Sequence, residues 1–479
     1  MFFSASPNSD TDRKWLTLLL DKKPFLIPMI TLLVCWIPIW IAYFPGSVEW
    51  DMLTQLNYYF GEFNWTDHHP VVATCIYGTL MHLGRSISGD SMGIFFCSLY
   101  QHLLLSSCMA FSLLKMKKWG LSQDVRLFVL MFYAFCPLVA LWPSSNYKDC
   151  SYFALALLFG VQFISLIQAL KEKQNVKKAF IEIVLTGIVI PLIRHDGLYI
   201  CVLVLILLAL FDVSKNHRGH CILAVIVIAV VSTTISNAAV ALVDAQEGSV
   251  REALSIPFQQ TARYVKEHYD EVTEEERLAI DAVLDYEKLP EVYDPDISDN
   301  VKGTYRKNDK ALPKYLLTWF KMFFKHPITY FEATLCNSYS YYYPNGESTT
   351  KMIVISGIIK NPLVNTGFFD LKYEFDTVGL QKGLYNGWLY LFKNLPGVGM
   401  LIHAGTYTWI LLLGCFYALF HKKKYFLLGF APALLNVLVC IASPVNGYFR
   451  YFMPTVLLTP IIIGWMLCEM EKDRRKETK

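Results

Sequence analysis

The long apolar runs of this 479-residue chain constrain its fold more than any other feature. Residues 25–44 contain no charged side chain, and an α-helix needs about 20 apolar residues to cross a bilayer core. Nine further apolar runs lie at residues 91–114, 125–142, 151–170, 179–193, 197–211, 221–243, 396–420, 425–442 and 451–468. Because a backbone in hydrocarbon must satisfy its own hydrogen bonds, these runs predict an all-α polytopic membrane protein with about ten transmembrane helices. The runs 179–193 and 197–211 are short, so they could instead form a tight hairpin that does not fully cross the bilayer.

The composition agrees with a membrane protein and argues against several other classes. Hydrophobic residues make up 54% of the chain and charged residues only 17%, whereas a soluble protein of this length exposes more charge. The net charge of +3 is too small to indicate a nucleic-acid partner. Twelve cysteines without a CxxC motif lie mostly in apolar runs, so they predict buried thiols and indicate neither a zinc site nor a disulfide framework.

The distribution of Lys and Arg predicts the orientation in the membrane. With the N-terminus inside, the short inside segments hold 21 Lys and Arg residues, whereas the short outside segments hold four. Cytoplasmic loops characteristically carry such an excess of positive charge. The sequence therefore predicts a multi-pass protein of the cell membrane, with both termini in the cytoplasm and an extracytoplasmic functional face.

This orientation divides the chain into three regions. Residues 1–243 form an N-terminal transmembrane region that contains spans one to seven and the first outside loop, residues 45–90. Residues 244–395 form an extracytoplasmic, mostly helical module, in which Thr273-Glu274-Glu275-Glu276 predicts a capped helix start. Residues 396–479 form a C-terminal transmembrane region with spans eight to ten and a cytoplasmic tail.

The end of the first outside loop predicts a juxtamembrane helix. Residues 71–86 are largely apolar but include His82 and Arg85. A membrane span there would place the lysine-rich segment 115–118 outside, against the charge bias. A helix that lies at the membrane surface avoids this conflict.

Two clusters of ionisable side chains lie earlier in the same loop. Glu49 and Asp51 follow the first span, and His68 and His69 come later. In enzymes, a carboxylate at such a position serves as a general base or as a metal ligand. Alternatively, the two acids are solvated loop residues without a catalytic role. The two histidines are then the polar start of a helix before Pro70.

The other short outside loops each place a basic side chain beside a polar or acidic one, at the end of a span. The groups are Lys148 with Asp149, Arg194 with Asp196, and Arg450 with Asn446 and Tyr448. Alone, each group is explained by a cation that reaches the lipid headgroups or by an ion pair within a turn. Together, at one membrane face, they favour a site where cations hold a phosphate or diphosphate and a carboxylate removes a proton from an acceptor hydroxyl.

On these residues the chain resembles the GT-C superfamily of integral membrane glycosyltransferases. Members of that superfamily have a multi-helix bundle and an acidic catalytic residue early in a long first outside loop, where this chain has Glu49-Trp50-Asp51. More narrowly, the chain is similar to a largely uncharacterised family of bacterial membrane proteins. The motifs that carry this likeness are Pro45-Gly46-Ser47, His68-His69-Pro70, Lys148-Asp149, Arg194-His195-Asp196-Gly197, Ser255-Ile256-Pro257-Phe258-Gln259-Gln260 and Asn446-Gly447-Tyr448-Phe449-Arg450-Tyr451.

The resemblance implies an inverting enzyme that moves a sugar from a polyprenyl-phosphate donor to an extracytoplasmic acceptor, a cell-wall or surface glycan. Asp51 is then the general base, with Glu49 as the alternative because Trp50 separates the two acids. The candidates for holding the donor phosphate are Lys148, Arg194 and Arg450. The candidates for binding substrate are His68, His69, Asp149, Asp196, Tyr448 and Gln259.

The same resemblance sets expectations for cofactors and partners. No cofactor is required, but a divalent cation, Mg²⁺ or Mn²⁺, is left open, with Asp51, Asp149 and His68 as its candidate ligands. The expected partners are the lipid-linked sugar donor, the glycan acceptor and membrane lipid, without a nucleic acid.

Two rival functions also fit this membrane face. A transporter or flippase for lipid-linked saccharides predicts inverted repeats and broken midplane helices, which the sequence does not clearly contain. A polysaccharide polymerase or ligase would use the same outside cations on a lipid diphosphate, and only the donor distinguishes it from the first function.

Overall fold

The computed structural model describes residues 14–344 and 378–477, and all regular secondary structure in these two segments is helical. Helices α1 to α10 are Lys14–Thr17, Leu26–Ala42, Trp50–Tyr59, Val71–Lys118, Gln123–Phe135, Pro137–Ala140, Lys148–Lys171, Lys177–Ile193, Gly197–Leu210 and Arg218–Leu242. Helices α11 to α16 are Ser255–Glu267, Glu274–Asp281, Leu289–Val292, Asp299–Lys302, Leu312–Phe323 and Pro327–Cys336. Helices α17 to α21 are Val378–Lys382, Leu389–Asn394, Ala404–Phe420, Phe426–Ile441 and Phe449–Glu477. The predicted all-α class is confirmed for the described residues.

Several of these helices could cross a membrane, but fewer than the ten predicted. Within residues 14–344 and 378–477, four helical segments are long and apolar enough, at Val71–Lys118, Lys148–Lys171, Asp212–Leu242 and Phe449–Arg475. The number rises to six if two bent pairs, Trp15–Lys22 with Leu26–Ala42 and Gln123–Phe135 with Pro137–Ser144, each count as one span. The other predicted spans form α8, α9, α19 and α20, which have only 14 to 17 residues. They fall short of the length of about 20 residues that a full crossing needs.

Helix α4 is interrupted near its middle, and its two halves lie side by side. Ser88 and Gly89 leave helical geometry, and Gly89 has a φ of +77°. The hydroxyl of Tyr77 in the first half accepts a 2.9 Å hydrogen bond from Nε2 of Gln101 in the second half. A straight helix would hold residues 24 positions apart at a separation of about 36 Å. The first half is therefore a separate helical segment that folds back against the second. The sequence predicted a separate helix here, but not the fold-back.

The predicted apolar run 125–142 is also two helices, because a proline divides it. Helix α5 ends before Pro137, which has no backbone N–H to continue the helical hydrogen bonds. The chain bends by 60° there. It then turns at Asn146, whose φ is +50° and whose Nδ2 donates to the carbonyl of Ser47 at 3.0 Å. This turn starts α7 beside the first loop, and so brings Lys148 close to α3.

The middle part of the chain has a hydrophobic core of its own. Helix α11 buries Phe258, Ala262 and Val265, which share one helical face, inside this module. Thr273 and Glu276 form the capping box that their spacing predicted at the start of α12. Residues 345–377, which the prediction assigned to the same module, lie outside the described residues.

The last residues of the predicted module, up to residue 395, contact the membrane helices. Helices α17 and α18 follow the module in the chain, but Gln381 in α17 donates from Nε2 to the carbonyl of Ala42, at the end of α2, at 2.8 Å. The module core consists of residues between Leu254 and Tyr330. Residues 378–394 therefore pack with the membrane helices, as far as the described contacts go.

Loops from the membrane helices hold the module in place. In the loop between α20 and α21, Asn446 donates from Nδ2 to Asp296 Oδ1 at 2.9 Å and accepts at Oδ1 from the backbone N–H of Ser340 at 3.0 Å. In the first outside loop, the carbonyl of Trp65 accepts a 2.9 Å hydrogen bond from the backbone N–H of Gln246. These contacts place the module over the ends of α4, α7 and α21.

Candidate functional site

A cavity of about 520 Å³ lies between the module and the loops that join the apolar helices. Eight of the eleven predicted site residues line it, namely Asp51, His68, His69, Lys148, Asp149, Arg194, Asp196 and Arg450. They come from positions as far apart as 399 residues in the chain, for the pair Asp51 and Arg450. The fold therefore collects most of the residues that the sequence had only placed on one face.

Five helices begin at this cavity. Asp51 and Lys148 lie in the first turns of α3 and α7, and Arg450 lies in the first turn of α21. Pro70 and Asp196 immediately precede α4 and α9. A helix N-terminus carries a partial positive charge and unpaired backbone N–H groups, so this convergence favours a negatively charged ligand.

Two cations hold the carboxylate of Asp51. Arg450 Nη1 donates to Asp51 Oδ2 at 3.0 Å, and Lys148 Nζ donates to the same oxygen at 3.3 Å. Burial would raise the pKa of the Asp51 carboxyl, but the charges of Arg450 and Lys148 outweigh it and hold the pKa well below its usual range. Asp51 is therefore ionised in this arrangement, and it is a weak base while both cations stay paired with it.

A second set of ion pairs surrounds Arg194. Its Nη1 donates to Asp149 Oδ1 at 3.1 Å, and its Nε lies 2.8 Å from Asp196 Oδ1. Asp149 is 1% exposed, and its Oδ2 has no hydrogen-bond partner within the described residues, with Arg450 Nη1 3.9 Å away. The three cations on the membrane side of the cavity are thus balanced by three carboxylates. Asp149 retains an unused acceptor.

Aromatic rings fix both guanidinium groups. The Tyr451 ring lies 4.4 Å from the guanidinium carbon of Arg194 and 4.9 Å from that of Arg450. Tyr448 and Tyr147 lie 4.5 Å and 4.8 Å from the Arg450 guanidinium carbon. Stacking of this kind fixes a guanidinium plane, which an ammonium group could not reproduce.

Glu49, the alternative base, does not line the cavity. Its side chain is fully buried, and its two carboxylate oxygens accept from Ser47 Oγ at 2.9 Å and from the hydroxyl of Tyr147 at 3.1 Å. These contacts tie the start of α3 to the turn before α7. The geometry therefore favours Asp51 over Glu49 as the residue that can meet a ligand.

The two histidines occupy different positions. His69 is buried, and its Nδ1 lies 3.0 Å from Lys148 Nζ. Burial and the charge of Lys148 lower the pKa of His69 well below its usual value, so the ring is neutral at pH 7 and Nδ1 can accept from Lys148. His68 is exposed to the cavity, with its ring 4.6 Å from that of His69.

Gln259 and Tyr448, two further candidates for binding substrate, lie outside the cavity lining. Gln259 is buried in the module, where its Nε2 donates to the backbone carbonyl of Asp294 at 2.5 Å. That contact is structural, and it holds the Gln259 side chain away from the cavity lining. Tyr448 reaches the site through Arg450 and through an edge contact with the ring of Tyr451, both of which line the cavity.

The expected metal ligands Asp51, Asp149 and His68 do not form a metal cluster. Among the described residues, one group of three His, Cys, Asp or Glu side chains has its potential ligand atoms within 4.8 Å of one another, and it lies elsewhere, at His268, Glu271 and His326. Cationic side chains already pair with Asp51 and Asp149.

The module supplies a wall of the cavity that sequence reasoning missed. Arg251, Glu252, Asp299 and Lys302 face the membrane-side residues across the cavity. Lys302 is 3% exposed and its Nζ pairs with Glu252 at 2.7 Å and with Asp299 at 2.8 Å. These residues lie among many similar charges in an acidic stretch, so no local pattern distinguishes them.

A family comparison covers most of the chain. Residues 62–479 match the model of a family of unknown function, DUF6020. The chain belongs to this family. The matched residues include the cavity-lining side chains from His68 onward but not Asp51. No curated protein and no solved structure matches the chain.

Proposed function

We propose that the protein is an integral membrane glycosyltransferase of the GT-C type, which moves a sugar from a polyprenyl-phosphate donor to a glycan acceptor. One observation carries the proposal. A partly buried carboxylate, Asp51, shares a cavity with Lys148, Arg194 and Arg450 at the ends of apolar helices. Such a cavity offers both a phosphate-binding face and a proton acceptor, at a depth that a lipid-linked substrate can reach.

The charge balance of the cavity suggests how the donor is bound. Because each cation already has a carboxylate partner, a phosphate must compete for these pairs. Arg450 and Lys148 are the cations to be shared, since both contact the single oxygen Oδ2 of Asp51. A donor phosphate that draws them away also removes the charges that depress the pKa of Asp51. Donor binding therefore converts Asp51 into a better base at the moment when it is needed.

The transfer step then balances as a simple displacement. The acceptor hydroxyl oxygen attacks the anomeric carbon, and its proton passes to an Asp51 carboxylate oxygen. The bond between the anomeric carbon and the phosphate oxygen breaks, and the electron pair leaves with polyprenyl phosphate, whose charge Arg450 and Lys148 stabilise. Attack opposite the leaving group gives inversion.

The finer membrane topology belongs to the same proposal. We take the shorter helices α8, α9, α19 and α20 as membrane-embedded with the six longer segments, which makes ten passes with both termini in the cytoplasm. The cavity then faces the extracytoplasmic side, where a cell-wall or surface glycan is available. Bacterial polyprenyl carriers are the donors expected there.

The first prediction concerns Asp51 and tests the activity itself. Purified protein in nanodiscs is mixed with radiolabelled polyprenyl-phosphate sugars and a glycan extract, with and without Mg²⁺ or Mn²⁺, and the label lost from the lipid is measured. We expect Asp51→Asn to lower turnover by at least about 100-fold, because one general base contributes that much or more. Binding of the donor to the variant is measured in parallel.

Glu62→Gln is the matched control, because Glu62 is an exposed acid shortly after the same helix and does not line the cavity. It should retain full turnover. An Asp51→Asn protein that turns over at the wild-type rate would contradict the assigned base. If the wild type consumes only lipid-diphosphate saccharides, the polymerase or ligase class replaces the proposed one, and if it moves label across the membrane without bond cleavage, the transporter class does.

A further inference from the structure

Three metal-binding side chains meet on the module, away from the cavity. His268 ends α11, Glu271 lies in the 3₁₀ turn Tyr269–Glu271 that follows, and His326 precedes α16. His268 Nδ1 lies 3.3 Å from Glu271 Oε1, and His326 Nε2 lies 2.8 Å from Glu271 Oε2. One carboxylate therefore faces a nitrogen from each of two rings.

These separations suit the coordination shell of a small ion. A tetrahedral zinc ion has bonds of about 2.0–2.1 Å to histidine nitrogen and carboxylate oxygen, so its ligand atoms lie about 3.3 Å apart. The separation between His268 and Glu271 already has this value, and that between His326 and Glu271 is shorter by about half an ångström. Rotation of the exposed Glu271 side chain and a tilt of one ring would admit the ion.

The two rings lie against each other beside the carboxylate. The His268 and His326 centroids are 3.6 Å apart, and the ring planes differ by 14°. A neutral imidazole offers one lone pair in its ring plane, and each ring has one nitrogen next to the Glu271 carboxylate. Because the planes are nearly parallel, one ring must tilt out of the stack for both lone pairs to reach a single ion together with the carboxylate.

A supporting contact orients one of these ligands. Thr329 Oγ1 lies 2.9 Å from Nε2 of His268, the ring nitrogen opposite the one that faces Glu271. Histidines that bind metals commonly have such a hydrogen bond on their second nitrogen, because it fixes the tautomer and the ring plane. Nδ1 of His268 is thereby left for the ion.

We propose that His268 Nδ1, His326 Nε2 and the Glu271 carboxylate bind one zinc-class divalent ion, with water in the fourth position. Imidazole with carboxylate is the ligand set for zinc, whereas Mg²⁺ and Ca²⁺ prefer oxygen ligands alone. The ion would join the end of α11 to the start of α16, the two helices that pack across the module core. Its role is to stabilise the module, and it does not depend on the proposed transferase activity.

The test measures zinc binding to the full-length protein. The chain is purified in detergent with its affinity tag removed, treated with EDTA, and dialysed against Zn²⁺ in the presence of excess Mg²⁺. We expect one zinc per chain by elemental analysis and a higher Tm with zinc than without it. Glu271→Gln should weaken zinc binding by at least about 10-fold, because it removes the charged ligand but keeps a hydrogen-bonding side chain of the same size.

Glu275→Gln is the control, since Glu275 is an exposed acid in the neighbouring helix α12, and it should bind zinc like the wild type. A second readout uses Co²⁺, whose visible absorption should change with wild type and not with His326→Gln. The proposal is overturned if the wild type takes up no zinc at low micromolar concentration, or if Glu271→Gln binds it as tightly as the control does.

Discussion

At the scale of single residues, Arg450 connects the two halves of the candidate site. Its Nη1 contacts Asp51, its Nη2 donates to the hydroxyl of Tyr451 at 2.8 Å, and its plane is stacked between tyrosines. A lysine has one point charge and no plane, so it can keep the ion pair but not the remaining contacts.

The second prediction follows from this geometry. Arg450→Lys should weaken binding of polyprenyl phosphate by about 10-fold, measured by equilibrium binding in nanodiscs, because the phosphate loses a bidentate partner. Arg475→Lys is the control, since Arg475 lies at the other end of the same helix in an exposed pair with Glu471. Equal affinities for both variants would remove Arg450 from the phosphate site.

The third prediction concerns pH and Asp51. The pKa of Asp51 is lower in the folded protein than in the unfolded chain, where it is about 3.9. The ion pairs of Asp51 therefore stabilise the fold above that unfolded pKa, and this stabilisation is lost as the pH falls through the folded pKa. The Tm of the wild type should therefore exceed that of Asp51→Asn by a constant margin between about pH 5 and about pH 8. The margin should shrink below about pH 4. A margin that has already vanished at about pH 5.5 would contradict the low pKa.

At the scale of elements, the break in α4 decides where the first loop folds. Gly84 and Gly93 lie so close across the break that a Cβ on Gly84 would come within 2.5 Å of the Gly93 backbone. The turn itself depends on Gly89, whose φ of +77° and ψ of −172° are accessible to glycine and not to other residues. The break lets α3 pack on both halves, with Met52, Tyr77 and others in a small shared core.

The fourth prediction tests that break. Gly89→Ala should destabilise the protein by about 1–3 kcal/mol, the cost of a strained backbone, because a Cβ at this position meets no other atom. Thermal unfolding in detergent measures it. Gly219→Ala, in the first turn of α10 and equally free of contacts, has no positive φ and should be neutral or slightly stabilising. Equal losses in both variants would show that the Gly89 conformation is not required.

At the scale of the whole molecule, the cavity exists because the module sits over the membrane helices. Asn446 is 1% exposed and links Asp296 in the module to the backbone of Ser340. The same loop leads into α21 and so positions Arg450. Module docking and site assembly are therefore one structural event.

The fifth prediction follows from this coupling. Asn446→Ala should leave the buried N–H of Ser340 without its acceptor, at a cost of about 1–3 kcal/mol, and should speed protease cleavage within residues 244–344. Asn308→Ala removes an exposed contact to the Ala282 carbonyl within the module and should not change the cleavage rate. The docking role is wrong if both variants are cut at the wild-type rate.

Sequence reasoning predicted the elements better than their ends. The all-α class, a helix near residues 71–86 that is separate from the next span, and the capping box at Thr273 follow from local patterns of apolar residues and caps, and the structure contains each of them. That the helix near residues 71–86 folds back was not predicted. The division of the run 125–142 at Pro137 and the contact of Gln381 with the end of α2 were not predicted. Hydropathy averages over a window and does not register a single bend or a packing partner.

The sequence by itself determined which polar and charged residues lie at the ends of apolar helices, because a charge next to an apolar run can be recognised in the local sequence. Such a charge is costly unless it is paired or faces a cavity. The sequence predicted Asp51, Lys148, Arg194 and Arg450 as one set. Only the tertiary structure decided how these residues pair. It also buries Glu49 away from the cavity and places Lys302 in the cavity wall that the module supplies. The reason is physical: distances between side chains hundreds of residues apart depend on how helices pack, and no local pattern encodes them.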